Sequence, residues 1–245
     1  MLMNKVVIVT GGSRGIGAAT SLLLAQQGYR VCVNYRTRQQ DAEAIVSQID
    51  QAGGIALSYQ ADVTDPNQVD QLFNRTREIF GEVTHLVNNA GILFPQSQLK
   101  DISLERFQTM MNGNLMSCFL CCKTFIHQNT LGGAIVNVSS IAARTGSPFE
   151  YVDYASTKGA MDSLTKGLSL ELTKDNIRVN AVRPGFIHTD IHADGGEPNR
   201  VEWLAPQIPM KRGGDPAEVA QSIAWLLSDE ASYVTGSFVD IAGGR

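Results

Sequence analysis

The sequence predicts an α/β protein built on a mostly parallel, doubly wound sheet with helices on both faces. Short β-branched runs alternate with helical stretches along all 245 residues, the pattern of strands joined by helical crossovers. The first run, Lys5-Val6-Val7-Ile8-Val9-Thr10, is apolar without alternation, as expected of a strand covered on both faces. No composition break, repeat or low-complexity linker interrupts the alternation, so 1–245 reads as one domain.

The elements follow in order. Strand 5–10 runs into a glycine-rich turn, and helix 18–27 closes at Gly28. Strand 31–35 and helix 39–51 come next, ending at Gly53-Gly54, then strand 55–60. Pro66 opens a helix to about residue 80, a place where its missing N–H costs little. Strand 84–87 precedes one long helix over 104–127 with an apolar stripe. Strand 134–138, helix 152–173, strand 177–182, helix 217–228 and strand 237–241 complete the chain.

A net charge near −4 and the lack of a Lys/Arg run argue against a nucleic-acid partner. No apolar run approaches a membrane span. Residues 1–5 lead straight into the first strand, with no visible signal segment. Cys118, Cys121 and Cys122 crowd one helix, and Cys32 lies in a strand. Without a second ligand pair, Cys118-x-x-Cys121 reads as small buried hydrophobes rather than a metal or redox site, in a reducing cytoplasm.

Ligands of doubly wound sheets sit beyond the carboxyl ends of the strands. Gly11, Gly15 and Gly17 follow the first strand and open a helix, spaced GxxxGxG. Glycines there permit a tight turn and let backbone approach a pyrophosphate at the helix N-terminus. The second strand ends Asn34-Tyr35-Arg36, with no acid before Asp41, and Arg14 lies inside the turn. Two arginines and no carboxylate suit a ribose 2′-phosphate, hence NADP(H), with NAD(H) as the lesser alternative. Tyr154 and Lys158 are four apart on one helical face. A nearby ammonium favours phenolate, so such a phenol could exchange a proton with a substrate oxygen.

With the glycine turn, Asn88-Asn89-Ala90-Gly91, Ser140 and Tyr154-x-x-x-Lys158 in order, the chain resembles the short-chain dehydrogenase/reductase family along essentially its whole length. The resemblance implies a Rossmann-type fold with a seven-stranded parallel sheet, in tetramers or dimers. It implies Tyr154 as acid/base, Lys158 lowering its pKa and holding the nicotinamide ribose, Ser140 bonding the substrate oxygen, and Asn114, in preference to Asn112, anchoring a relay water. It implies cofactor contacts at Gly11, Ser13, Arg14, Gly15, Ile16, Gly17, Asn34, Tyr35 and Arg36. Others are Asp62 and Val63 at the adenine, Asn89, Ala90 and Gly91 along the cofactor, Pro184 and Gly185, and Ile187 and Thr189 at the carboxamide. No metal is implied.

Leu93, Phe94, Phe149, Tyr151, Phe186 and His192 are the candidates for the substrate pocket. The stretch 186–214 is long enough for a lid. The likeness is nearest to sugar-dehydrogenase-like bacterial oxidoreductases, which implies a carbonyl or secondary alcohol substrate such as a sugar or small polyol. A β-ketoacyl carrier-protein reductase is the alternative, with Arg106, Lys123 and Arg144 as candidate docking cations; a catalytically silent NADP sensor is a third. Apolar stretches at 107–125 and 160–172 leave surface for a homo-oligomer to cover.

Overall fold

The computed structural model describes residues 5–245; the reading of residues 1–4 lies outside them. In chain order the elements are β1 (Val6–Val9), α1 (Gly15–Gln26), β2 (Arg30–Tyr35), α2 (Gln39–Gln51), β3 (Ile55–Gln60), α3 (Pro66–Phe80) and β4 (His85–Asn88). Then come α4 (Leu104–Met111), α5 (Ser117–Gln128), β5 (Gly133–Val138), α6 (Ala142–Thr145), α7 (Val152–Glu171) and β6 (Ile177–Pro184). The last are α8 (Ile191–Asp194), α9 (Arg200–Leu204), α10 (Pro216–Leu227) and β7 (Phe238–Ile241). Seven parallel strands lie in the order β3-β2-β1-β4-β5-β6-β7. The order reverses between β1 and β4, which opens a crevice at the carboxyl edge of the sheet.

The run in β1 explains the layers. Val7 and Val9 face one core with Leu24, Ile45, Ile49 and Ile223 of α1, α2 and α10. Val6 and Ile8 face the other with Leu72, Phe73, Phe125 and Met161 of α3, α5 and α7. Alternate residues point to opposite faces, and both faces are covered, so neither set can be polar. All four cysteines are free and buried, and Cys32, Cys118, Cys121 and Cys122 belong to the second core. Burial pushes the Cys32 thiol up to about 12. Among the described residues no helix is long and apolar enough to cross a membrane.

One predicted element is corrected. The helix expected over 104–127 is interrupted by a π-helical turn, Asn112–Met116, between α4 and α5. Such turns are single insertions in an otherwise helical pattern, frequent at functional sites. The apolar periodicity barely registers the extra residue, so the sequence reads through it. Pro66 is the first residue of α3, as read, and Asp65 before it accepts from Asn67 N as the cap.

Candidate active site

The carboxyl ends of the strands surround a cavity of about 560 Å³. Its cofactor end is made from backbone. Gly11 and Gly15 have φ of +60° and +52°, values that favour glycine. A Cβ on Gly17 would lie 2.2 Å from the Gly11 carbonyl oxygen, so the turn can close only on hydrogen. Asn89 Nδ2 donates to the carbonyls of Thr10 and Gly11 at 3.0 and 2.9 Å, and Thr10 Oγ1 accepts from the backbone N–H of Asn89 and Ala90. Asn34 Nδ2 donates to the Ala61 carbonyl at 3.0 Å. Gly12 N donates to the Asn34 carbonyl at 2.9 Å, so these ties fasten the turn to the loop after β4 and, through Asn34, to the loop after β3. The N-terminus of α1 has no side-chain cap and no acid in its first turn, leaving its N–H dipoles free to receive an anion.

Ser13, Arg14, Ile16, Asn34, Tyr35, Arg36, Asp62, Val63, Asn89, Ala90, Gly91, Pro184, Gly185, Ile187 and Thr189 all line the cavity with Gly11 and Gly15. Gly17 does not; it supports the turn by packing. This cradle, with its uncapped helix end and its arginines, fits a dinucleotide. Arg36 is exposed and 3.9 Å from Asp62. Arg14 is turned instead toward α8, where it pairs with Asp190 at 3.5 Å and also with Asp194. Burial disfavours its charge, but Asp194 and Asp190 outweigh that and raise its pKa. Thr37 and Arg38 also line this end, with Arg38 3.3 Å from Asp41. The sequence reading passed over them, although the Arg-Thr-Arg run at 36–38 signals them.

Ser140, just past β5, and Tyr154 and Lys158, in the first two turns of α7, also line the cavity. Ser139 Oγ is buried and donates to the Lys158 carbonyl at 3.3 Å, whereas Ser140 Oγ accepts from Ala142 N at 3.1 Å. Lys158 Nζ donates to the Val138 carbonyl at 2.8 Å and sits 5.6 Å from the Tyr154 ring centre. Burial holds Lys158 down to about 8, against Cys118 and Asp162, which raise it. Burial also pushes the Tyr154 phenol up to about 12, with the Ser140 hydroxyl acting the other way. Desolvation is the larger influence on both groups, opposed at the phenol by Ser140 and at the ammonium by Cys118 and Asp162.

Asn114 lies in the π turn, fully buried behind the cavity wall, while Asn112 is exposed. Asn114 Oδ1 accepts from Ile92 N at 2.7 Å and Nδ2 donates to Ile92 O at 3.1 Å, clamping the loop after β4. A Cβ on Gly91 would approach Asn114 Oδ1 to 2.9 Å and Lys158 Nζ to 3.8 Å. Asp153, missed by the sequence reading, is wholly buried. It accepts from Tyr154 N at 2.9 Å and from Arg106 Nε at 2.8 Å, joining α4 to the start of α7.

The substrate end is made from side chains. Leu93, Tyr151, Phe186 and His192 line it as expected. Phe94 and Phe149 do not. Phe94 faces Arg106 at 5.5 Å, and Phe149 is 79% exposed at φ +69°. A left-handed residue in the loop before α7 throws its side chain outward, which spacing alone does not reveal. Arg200 and Arg245 also line this end, and no local pattern points to either. The stretch 186–214 is not structureless; it carries α8 and α9. His188 lies near Glu202 at 3.6 Å, off the cavity wall.

A family model described as Enoyl-(Acyl carrier protein) reductase matches residues 11–245. The uncharacterized oxidoreductase YgfF of Escherichia coli is 54% identical, over 98% of this chain and 99% of that protein. The 3-oxoacyl-[acyl-carrier-protein] reductase FabG of Staphylococcus aureus is 37% identical, over 100% of this chain and 99% of that protein. A crystal structure of a dehydrogenase/reductase from Sinorhizobium meliloti superposes with TM-score 0.93 at 34% identity, covering 99% of this chain and 95% of that one. A short-chain dehydrogenase/reductase from Serratia marcescens gives 0.92 at 32% identity, covering 99% and 98%. With the glycine turn, the seven-stranded sheet and the Ser140, Tyr154 and Lys158 wall, these likenesses make the chain a member of the short-chain dehydrogenase/reductase family, NAD(P)(H)-dependent oxidoreductases acting on CH–OH groups.

Proposed function

We propose that the protein is an NADP(H)-dependent reductase or dehydrogenase in which Tyr154 exchanges a proton with a carbonyl or secondary alcohol oxygen. The observation that carries this is the placement of Ser140, Tyr154 and Lys158 on one wall of the cavity whose far end is the glycine turn. A nicotinamide dinucleotide bound along Gly11 to Ile16, Arg36, Asp62 to Val63, Asn89 to Gly91 and Pro184 to Thr189 supplies or accepts the hydride. Ser140 and Tyr154 donate to the substrate oxygen and stabilise negative charge as it grows there. Lys158 orients the ribose and replenishes the proton of Tyr154. Asn114 holds the loop that carries Gly91 in register with Lys158. The stretch 186–214 serves as lid on this single domain. Arg36, with Arg38 beside it, favours a 2′-phosphate, since guanidinium meets phosphate oxygens with paired hydrogen bonds.

A sugar or small polyol suits the substrate end better than a β-ketoacyl thioester. FabG of S. aureus supports the thioester reading by its 37% identity. Against it, Arg106 is committed to Asp153 and Arg144 to Asp240, which leaves Lys123 of the three candidate docking cations. A silent sensor has no need of the Ser140, Tyr154 and Lys158 wall. Exposed Leu104, Phe119 and Leu170 on α4, α5 and α7 give a homo-oligomer, most simply a tetramer, apolar surface to bury. The test of the activity is absorbance of NADPH and NADH with a panel of carbonyls, and of NADP⁺ and NAD⁺ with polyols. Turnover that survives in Tyr154→Phe would refute the mechanism, and a monomeric mass by light scattering would refute the assembly.

A further inference from the structure

Arg200 is a cation almost lost to solvent, 7% exposed, in the wall of the substrate end. One of its nitrogens donates to Glu150 Oε2 at 2.5 Å. Its guanidinium lies 5.1 Å from the Tyr151 ring centre and 5.5 Å from that of Phe186, which fix its plane. Its remaining N–H groups bond to no protein acceptor and are not sealed from the cavity. A buried guanidinium with free donors calls for oxygen acceptors. Glu150, half exposed beside it, offers an acceptor in return. The Tyr151 hydroxyl and His192 Nδ1 behind this wall also lack partners but are sealed from the cavity, so the polar surface that a ligand meets here is that of Arg200 and Glu150. The Gln96 side chain approaches Tyr151 but falls short of hydrogen-bond geometry. Burial, and then the Arg200 charge, hold His192 below its ordinary value.

We infer that this end of the cleft reads hydroxyl groups, with Arg200 and Glu150 as the specificity-determining pair, and that the substrate is a small polyhydroxylated carbonyl or its alcohol. The inference rests on the hydride-transfer reading above and names the substrate class of that site. Two alternatives fit less well. An acyl tail would leave the free donors of the nearly buried Arg200 without acceptors, whereas substrate hydroxyls would pair with them. A free anion would meet Glu150, with Glu197 and Glu202 near Tyr151 and His192, as well as the guanidiniums of Arg200 and Arg245.

The experiment compares erythrulose with butanone, the same carbon skeleton without hydroxyls, in kcat/KM with NADPH. Wild type is expected to prefer erythrulose by on the order of 10²-fold, short of the ~10⁴–10⁵ of a sealed hydroxyl-binding site because Glu150 is partly open to water. Arg200→Met and Glu150→Gln are each expected to lower that ratio about tenfold or more, by removing a charged hydrogen bond. Arg200→Lys should recover part of it, while NADPH affinity by fluorescence stays at the wild-type value in all three. Preference for butanone, or an equal fall on both ketones, overturns the inference and leaves the hydride-transfer reading standing. If neither ketone is reduced, calorimetry with erythritol and butanol on the NADP⁺ complex decides. Erythritol binding that is lost in Arg200→Met supports the hydroxyl-reading site while the reaction reading fails; no erythritol binding overturns the site.

Discussion

The cofactor end and the substrate end of the cleft sit on one sheet edge but are built from different material. At the cofactor end the wall is main chain: Gly11 and Gly15 at positive φ, the uncapped start of α1, and carbonyls tied down by Asn89. At the substrate end the wall is side chain, and its parts come from distant positions: Glu150 and Arg200 are 50 residues apart, and Arg245 lies beyond β7. A wall made from backbone must be written in residues that permit the backbone conformation, so it leaves glycines at fixed spacing. A wall made from side chains can be assembled by any chain path that delivers them, so it leaves no local signature. The first kind binds a ligand common to many reactions; the second is free to vary with the substrate.

The largest test of this contrast falls where the two ends meet. Tyr154→Phe should cut turnover by ~10²–10⁴, the usual scale for a general acid or base, while NADPH affinity measured by fluorescence barely changes. If affinity fell together with turnover, the two ends could not be treated as separable.

Within the cofactor end, Arg36→Asp should lower the kcat/KM preference for NADPH over NADH by roughly 10-fold to 10²-fold. The lost charged hydrogen bond contributes about 1.5–3 kcal/mol, and exposure keeps it toward the lower figure. Arg14→Ala should change the ratio less, because Arg14 is already held by Asp190 and Asp194. An Arg14→Ala effect larger than that of Arg36→Asp would reverse the assignment.

Gly17→Ala tests whether the turn is demanding as backbone rather than as a contact. The added carbon would meet the Gly11 carbonyl oxygen at 2.2 Å, and overpacking of this kind costs about 1–3 kcal/mol. A drop in Tm with weakened binding of both NADPH and NADH is expected. An unchanged Tm would mean that the turn relaxes freely.

The smallest effect is expected at Phe149→Gly. The ring is exposed and off the cavity, and its φ of +69° suits glycine. Turnover should stay within about twofold, and stability should move by less than about 1 kcal/mol, as relief of the left-handed conformation is offset by glycine's greater chain entropy. A large loss of substrate affinity would return Phe149 to the substrate pocket.

The sequence by itself determined the order of strands and helices, the parallel sheet, the glycine turn, and the placing of Tyr154 and Lys158 on one helical face. Each of these rests on periodicity, on backbone conformations open to few residue types, or on spacing within one helix, all of which are local. Only the tertiary structure decided that Phe149 faces solvent and that the helix around Asn114 carries a π turn. It alone turned Arg14 toward the acids of α8, and brought Arg200 onto Glu150 beside the unpartnered Tyr151 and His192. Those outcomes depend on which distant segments meet at the sheet edge and on how far burial outweighs neighbouring charge. Neither quantity exists until the chain has folded.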